Sequence, residues 1–199
     1  MTQLETTVSK PILLDVSTVR LHVTNEQFDR LAQANPDLRL ELTPNGELIV
    51  MPPTFAISGK RNSDLVFQVV AWNRRTKLGE VFDSSTGYDW TAIGSGRYSP
   101  DVSWIENSRL VGVDLQKYLT IVPDFAIELR SSSDRLKDVR GKMREYMRCG
   151  VQLGWLINPQ DRQVEIYRLG KAVEVLDSPI SVGGENVLPE FILDLTTIY

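Results

Sequence analysis

PDFAIELRSSSDRLKDVRGKMREYMRCG, residues 123–150, runs from an apolar strand into an amphipathic helix. Side chains alternate between the two faces of a strand. Phe125, Ile127 and Leu129 therefore share one face, and Asp124, Ala126, Glu128 and, if the strand continues, Arg130 share the other. The first set is core. The second sets a carboxylate into a face otherwise suited to burial, which is costly unless the charge is paired or bound to metal. On the helix, Leu136, Val139, Met143, Tyr146 and Met147 form the apolar face, with Asp134 or Ser133 placed to cap its start and Gly150 to end it. Lys142 lies three residues after Val139 and four before Tyr146, so it borders the inward face. Lys137 is less well placed.

Some twenty residues upstream, RYSPDVSWI (97–105) opens a second apolar strand with a Pro-Asp pair, Pro100-Asp101. Asp101, Ser103 and Ile105 share a face. If the two strands are neighbours, Asp101 and Glu128 converge. Asp124 also follows a proline and lies on the Glu128 face, so it competes with Asp101 for the same role. Converging carboxylates make a hard oxygen site that suits Mg²⁺, or Mn²⁺ in its place, with one or two carboxylates plus water and substrate phosphates around the ion. Such an ion polarises a phosphodiester and acidifies an attacking water. A nearby lysine would steady the nucleophile or the developing charge. Two residues after Glu128 stands Arg130, which clamps phosphate but stays protonated. Arg130 is thus the candidate substrate-binding residue, and Lys142 the candidate lysine. Each residue also has a plain structural reading: Asp101 as a turn residue after proline, Glu128 as the salt-bridge partner of Arg130, and Lys142 as a partner for Asp138.

Elsewhere the sequence predicts a helix over TNEQFDRLAQANP, with Thr24 as N-cap and Gln27 three residues on. LRLEL, TPNG and ELIVM read as a hairpin with an Asn-Gly turn, and MPPTFAISGK as a loop. RNSDLVFQVVAWNRRTKLG reads as a helix stopping at Gly79. EVFDSSTGYDW gives one or two short strands and LGWLIN a buried strand. RQVEIYRLGKAVEVL reads as a hairpin turning at Gly170, and PEFILDLTTIY as a closing edge segment. Residues 1–24 read as a loose lead-in with no signal peptide. The sum is one domain over 1–199 of the α/β or α+β kind: a mixed central sheet flanked by helices, with additional β-hairpins.

Composition narrows the functional classes. The 199 residues are 42% hydrophobic and 24% charged, with a net charge of -4. An acidic chain does not advertise nucleic acid binding, yet residues 130–148 hold seven basic against three acidic side chains. A solvated helix face explains that run equally simply. A single cysteine, Cys149, rules out an internal disulfide and suits a cytoplasmic location. A single histidine, His22, argues against a zinc site or a histidine-based triad. No Walker loop or dinucleotide glycine pattern is present. The four tryptophans and Tyr146 read as core more readily than as base-stacking platforms.

A Pro-Asp strand, an acidic residue in the next apolar strand and a following lysine resemble the PD-(D/E)XK nuclease superfamily. ELTPNGELIVMPPT, RNSDLVFQVVAWNRRTKLGEVFDSSTGYDW, RYSPDVSWI, PDFAIELRSSSD, GKMREYMRCGVQLGWLINP and RQVEIYR, in this order and spacing, resemble the bacterial Uma-type family of restriction-endonuclease-like proteins, a domain of unknown function. The resemblance spans roughly residues 38–195. It implies a restriction-endonuclease-like core and Mg²⁺-dependent cleavage of DNA. It implies Asp101 and Glu128 as metal ligands, Lys142 as the lysine displaced onto the helix, and Glu41 of the first hairpin as a further acidic member. Arg130 departs from the superfamily pattern, which has lysine there. Cutting both strands favours a homodimer, since two-fold dimers are the commonest oligomers. Two other readings stand beside the nuclease: a non-catalytic nucleic-acid or protein binding module on the same fold, and more remotely a hydrolase with paired carboxylates flanking a sugar cleft.

Overall fold

The computed structural model describes residues 19–199. Most of the expected lead-in, residues 1–18, lies outside the described residues, and its end is not loose. Leu21 to Val23 run along the first hairpin, where the Leu48 N–H donates to the Leu21 carbonyl at 2.7 Å and the Val23 N–H to the Gly46 carbonyl at 2.8 Å. Helix α1 (Asn25–Ala34) starts with the expected capping box: Thr24 Oγ1 accepts from the Gln27 N–H and Gln27 Oε1 from the Thr24 N–H. It stops just before Asn35-Pro36, because the residue before a proline is pushed out of the helical region. The hairpin pairs β1 (Arg39–Leu42) with β2 (Leu48–Met51), placing Glu41 opposite Ile49.

Helix α2 (Ala56–Thr76) begins within the segment expected to be a loop. Burial of Leu65, Val69 and Trp72 anchors the helix, and nothing between Ala56 and Lys60 breaks its first turn. Gly59 alone costs about 1 kcal/mol there, which tertiary packing overrides. The helix ends in a left-handed Lys77, φ 56°, not at Gly79. Gly79 instead opens β3 (Gly79–Asp83), where a Cβ would lie 2.1 Å from the Ile105 carbonyl oxygen. Close backbone approach, not capping, requires glycine at this position.

Two short strands, β4 (Tyr88–Asp89) and β5 (Arg97–Tyr98), join the hairpin in a sheet ordered β2-β1-β5-β4. Gly96 lets β5 press against β1, since a Cβ there would sit 1.9 Å from the Leu42 carbonyl oxygen. Buried Arg97 ties this sheet to α1, bonding Asp89 at 2.8 Å and Asp29 at 2.5 Å.

The central sheet adds β6 (Val102–Glu106), β7 (Phe125–Leu129), β8 (Leu153–Asn158), β9 (Gln163–Arg168) and β10 (Glu174–Asp177), in the order β10-β9-β8-β7-β6-β3. A short helix, α3 (Asn107–Leu110), follows β6. Only β7 and β8 run parallel. A parallel pair needs a long crossover, and α4 (Leu136–Cys149) supplies it. The alternation read from PDFAIEL appears directly in the packing. Phe125, Ile127 and Leu129 join α2 and the C-terminal segment on one face, while Ala126 joins Met143 and Tyr146 of α4 on the other.

Two further expectations change, one at the start of α4 and one at the C-terminus. Helix α4 starts after Arg135 without a side-chain cap, because the Asp134 carboxylate accepts the Ser131 N–H at 2.7 Å within the preceding loop. Gly150 does end the helix, at φ 106°. The closing segment is not an edge of the main sheet. Its strand β12 (Ile192–Asp194) pairs with β11 (Ser181–Gly183), and Phe191, Leu193, Leu195 and Ile198 cover the α2 face of the core. All four tryptophans are buried, as their core reading requires.

Candidate active site

Strands β6 and β7 are antiparallel neighbours with Val102 opposite Ile127 and Ser103 opposite Ala126. One step further along this register, Asp101 faces Glu128, on the side of the sheet that α4 covers. Directly opposed residues share a face, so the convergence expected from the two sequences holds in the backbone. Asp101 is partly buried, and its Oδ2 accepts the Leu129 N–H at 2.8 Å. Burial raises its pKa. The Leu129 N–H and the charges of Lys142 and Arg39 pull it back, and Glu41 pushes it up.

Glu128 is 7% exposed. Its carboxylate accepts from the Tyr146 hydroxyl at 2.7 Å and from Lys142 Nζ at 3.0 Å and 3.2 Å. Its pKa is pushed up to about 8, first by burial and then by the neighbouring charges of Asp101 and Glu41, against the pull of Lys142 and the Tyr146 hydroxyl. Lys142 also donates to Glu41 Oε1 at 2.7 Å. Burial works against the Lys142 charge, but Glu128, Glu41 and Asp101 outweigh it and hold the ammonium above its ordinary pKa. Asp138, its helix neighbour in the plain reading, pairs with Arg135 instead.

Glu41 is buried on β1, and its Oε1 also accepts the Ser99 N–H at 2.8 Å. Ser99 immediately precedes Pro100-Asp101, so one carboxylate stitches the loop that delivers Asp101 to the hairpin and to Lys142. Four elements thus meet: β1, the start of β6, the end of β7 and the middle of α4.

Tyr146 joins the site, although the sequence marks it only as a core residue. Its position four residues after Lys142, on the inward helix face, is the one signal of a further role. The buried phenol stands edge-on to Trp90 and Tyr98, with centroids at 5.5 Å and 5.6 Å. That aromatic packing fixes the hydroxyl that grips Glu128.

The two competing candidates lie elsewhere. Asp124 is at the other end of β7, about 13 Å from Glu128 at the usual rise per residue. There it binds Arg109 at 2.5 Å, Gln152 at 2.9 Å and the Glu106 N–H at 3.0 Å, which makes it a structural staple. Arg130 falls just past the end of β7 and is not paired with Glu128. Its guanidinium bonds Asn158 at 3.1 Å and Asp161 at 3.3 Å.

Glu41, Glu128 and Lys142 line a cleft of about 790 Å³ between the first hairpin and α4, with Lys137, Gly141 and Arg144 along its helical wall. Asp101 does not line it. Among the described residues, no group of three or more His, Cys, Asp or Glu side chains is arranged to hold a metal ion, for the Lys142 ammonium lies between Glu41 and Glu128. The donor chemistry nevertheless fits a hard cation. Asp101 and Glu128 offer carboxylate oxygens from adjacent strands, and Mg²⁺ takes one or two carboxylates.

A mixed sheet with α2 and α4 on opposite faces thus carries Asp101, Glu128 and Lys142 at one end. A crystal structure titled as a "putative nuclease belonging to DUF820" from Anabaena variabilis shares this fold: TM-score 0.74, 23% identity, covering 88% of this chain and 97% of that one. The sequence profile of the Uma2 family, described as "Putative restriction endonuclease", matches residues 25–196. The chain belongs to that family. No curated protein matches the chain. Among the described residues, no helix is long and apolar enough to cross a membrane.

Proposed function

We propose that the chain is a Mg²⁺-dependent endonuclease that hydrolyses DNA phosphodiester bonds. The observation that carries this reading is the convergence of Asp101 and Glu128 from adjacent strands, with Glu128 and the Lys142 ammonium lining an open cleft. Asp101 and Glu128 would hold the ion, which when bound polarises the phosphodiester and lowers the pKa of an attacking water. Lys142 stays protonated, so its part is to offset negative charge that develops on the phosphoryl oxygens. Fixed charge of this kind, already oriented before the reaction, is usually the largest single contribution to catalysis. Glu41 positions Lys142, and Tyr146 positions Glu128. Arg130 meets a phosphate only by sharing its guanidinium with Asp161. A two-fold dimer would bring a second such site to the opposite strand of the duplex.

Incubation of supercoiled plasmid with protein and Mg²⁺ tests the reading. Nicking that disappears with EDTA and with Glu128→Ala supports it. Nicking that persists in both would remove the metal-site assignment.

A second reading has its own observation. Lys142 bridges Glu41 and Glu128 as a self-contained ion-pair cluster, as in a binding module on the same fold. Calorimetric titration with Mg²⁺ separates the two. The nuclease takes up metal and, below about pH 8, releases protons as Glu128 ionises; the binding module need do neither.

A further inference from the structure

The acidic side chains that line the cleft are all answered. Lys142 holds Glu41 and Glu128, Arg20 holds Glu47 at 3.0 Å, and Arg135 holds Asp138 at 2.6 Å. Glu145 takes Arg148 at 2.6 Å and the Ser95 hydroxyl, and Asp134 takes the Ser131 N–H. Lys137 and Arg144 line the same cleft, are exposed, and have no ion-pair partner among the described residues. Two positive charges are thus left over on one wall of the cleft, in a chain whose net charge is -4.

The two cations frame a glycine. Lys137, Gly141 and Arg144 follow the i, i+4, i+7 spacing that lays residues along one stripe of a helix. Glycine is a poor helix former, and packing does not require it here. A Cβ at Gly141 would find open space, its nearest neighbour beyond the helix backbone being a guanidinium nitrogen of Arg144 at 3.9 Å. A glycine with no neighbour to clear marks a place where a ligand can come close to the helix. Seven residues at about 1.5 Å each put Lys137 and Arg144 about 10 Å apart along α4, about three nucleotides of one duplex strand.

We infer that Lys137 and Arg144 form a phosphate track on the α4 wall, along which one DNA strand is led over Gly141 beside Lys142. This rests on the nuclease reading for its ligand and goes beyond it by naming how the strand is held. The two cations stand on the same helix as Lys142, so a strand laid along the stripe is set in register with that ammonium. Lys137 acts as a point charge, and Arg144 can offer a phosphate two parallel N–H bonds. Contacts of this kind position a strand without reading its bases. Gly141 leaves the passage open, where a larger side chain would fill it.

The test follows binding of a fluorescein-labelled DNA duplex by anisotropy in EDTA across a salt series, and cleavage of the same duplex in Mg²⁺. It compares wild type with Lys137→Gln, Arg144→Gln, the double variant, Gly141→Leu and Lys171→Gln. Exposed Lys171 is the charge-matched control. It follows β9 at the end of the sheet away from Glu128, where Leu153 pairs with both Phe125 and Arg168. Each lost phosphate contact lowers the slope of log affinity against log salt by about 0.9. The expected drop is therefore about 0.9 for each single cleft variant and about 1.8 for the double, with Lys171→Gln at the wild-type slope. Gly141→Leu should melt no lower than wild type, because leucine is the better helix former, yet lose affinity to the extent of the double variant. An unchanged slope in the double variant, or an equal drop in Lys171→Gln, overturns the track, and cleavage by wild type then leaves the nuclease reading standing. Wild-type affinity in a folded Gly141→Leu overturns the passage over the glycine; should that variant not fold, the charge variants decide alone. The expected slopes with a wild type that binds but does not cleave keep the track and remove the nuclease chemistry. A wild type that binds no DNA overturns both.

Discussion

Replacing Glu128 with glutamine should make the protein more stable at alkaline pH while removing its proposed activity. The structure sets the size of the effect. The Glu128 carboxyl rises from about 4.5 to about 8 on folding, mainly through burial. Each tenfold change in proton affinity is about 1.4 kcal/mol, so full ionisation of Glu128 in the fold costs about 5 kcal/mol as an upper figure. A carboxyl whose folded pKa is raised contributes stability that is fully present below about pH 4.5 and is lost as pH climbs to about 8, because the native state then binds the extra proton. Glutamine mimics the protonated form and escapes this loss. It carries a fixed cost, since an amide NH₂ at the Oε2 position would face Lys142 Nζ at 3.2 Å, about 1–3 kcal/mol at every pH. The variant should therefore be less stable than wild type near pH 5 and more stable, by about 2–4 kcal/mol, near pH 9. Urea unfolding in EDTA, followed through the four buried tryptophans, reads both values. Parallel pH profiles for the two proteins would refute the reasoning, and so would a variant that loses ground as pH rises.

Three further outcomes rest on the same contacts. Lys142→Met removes the ammonium bonded to both Glu41 and Glu128 and should cost about 3–5 kcal/mol near pH 8, less near pH 5; a loss under about 1 kcal/mol in thermal melts at pH 8 would contradict the pairing. Tyr146→Phe deletes the 2.7 Å hydroxyl contact to Glu128 and should cost about 1.5–3 kcal/mol near pH 9 and slow cleavage, whereas an unchanged urea midpoint would mean the hydroxyl does not hold Glu128. Gly96→Ala places a Cβ 1.9 Å from the Leu42 carbonyl oxygen and should cost about 1–3 kcal/mol; wild-type stability would show that β5 does not press on β1 as described.

Much of the site is legible in the sequence because it lies on regular elements. Alternation in PDFAIEL sorts Glu128 from the core face, and helical spacing puts Lys142 beside the sheet. Adjacency of β6 and β7 is the one assumption needed to bring Asp101 to Glu128. The rest depends on contacts between distant segments. Asp124 and Asp101 stand in identical Pro-Asp pairs, and partners folded in from elsewhere, Arg109, Gln152 and the Glu106 N–H, make Asp124 a staple. Arg130 sits two residues after Glu128, but β7 ends at Leu129 and the guanidinium turns to Asp161. A tyrosine on an inward helix face carries no local mark of the carboxylate its hydroxyl will meet. The start of α2 is hidden because its first turn is weak by propensity and is held by packing further along. Asp134 has the chemistry of a cap, yet its carboxylate is committed to the Ser131 N–H.

The most direct measurement is a crystal structure of the protein soaked with Mn²⁺, with the ion located by its anomalous signal. A metal held by the Asp101 and Glu128 carboxylates, with Lys142 drawn back from Glu128 and still bonded to Glu41, is the predicted result. No peak at saturating Mn²⁺, with the ammonium still bridging Glu41 and Glu128, would contradict the metal site and leave the cluster as an ion-pair lock.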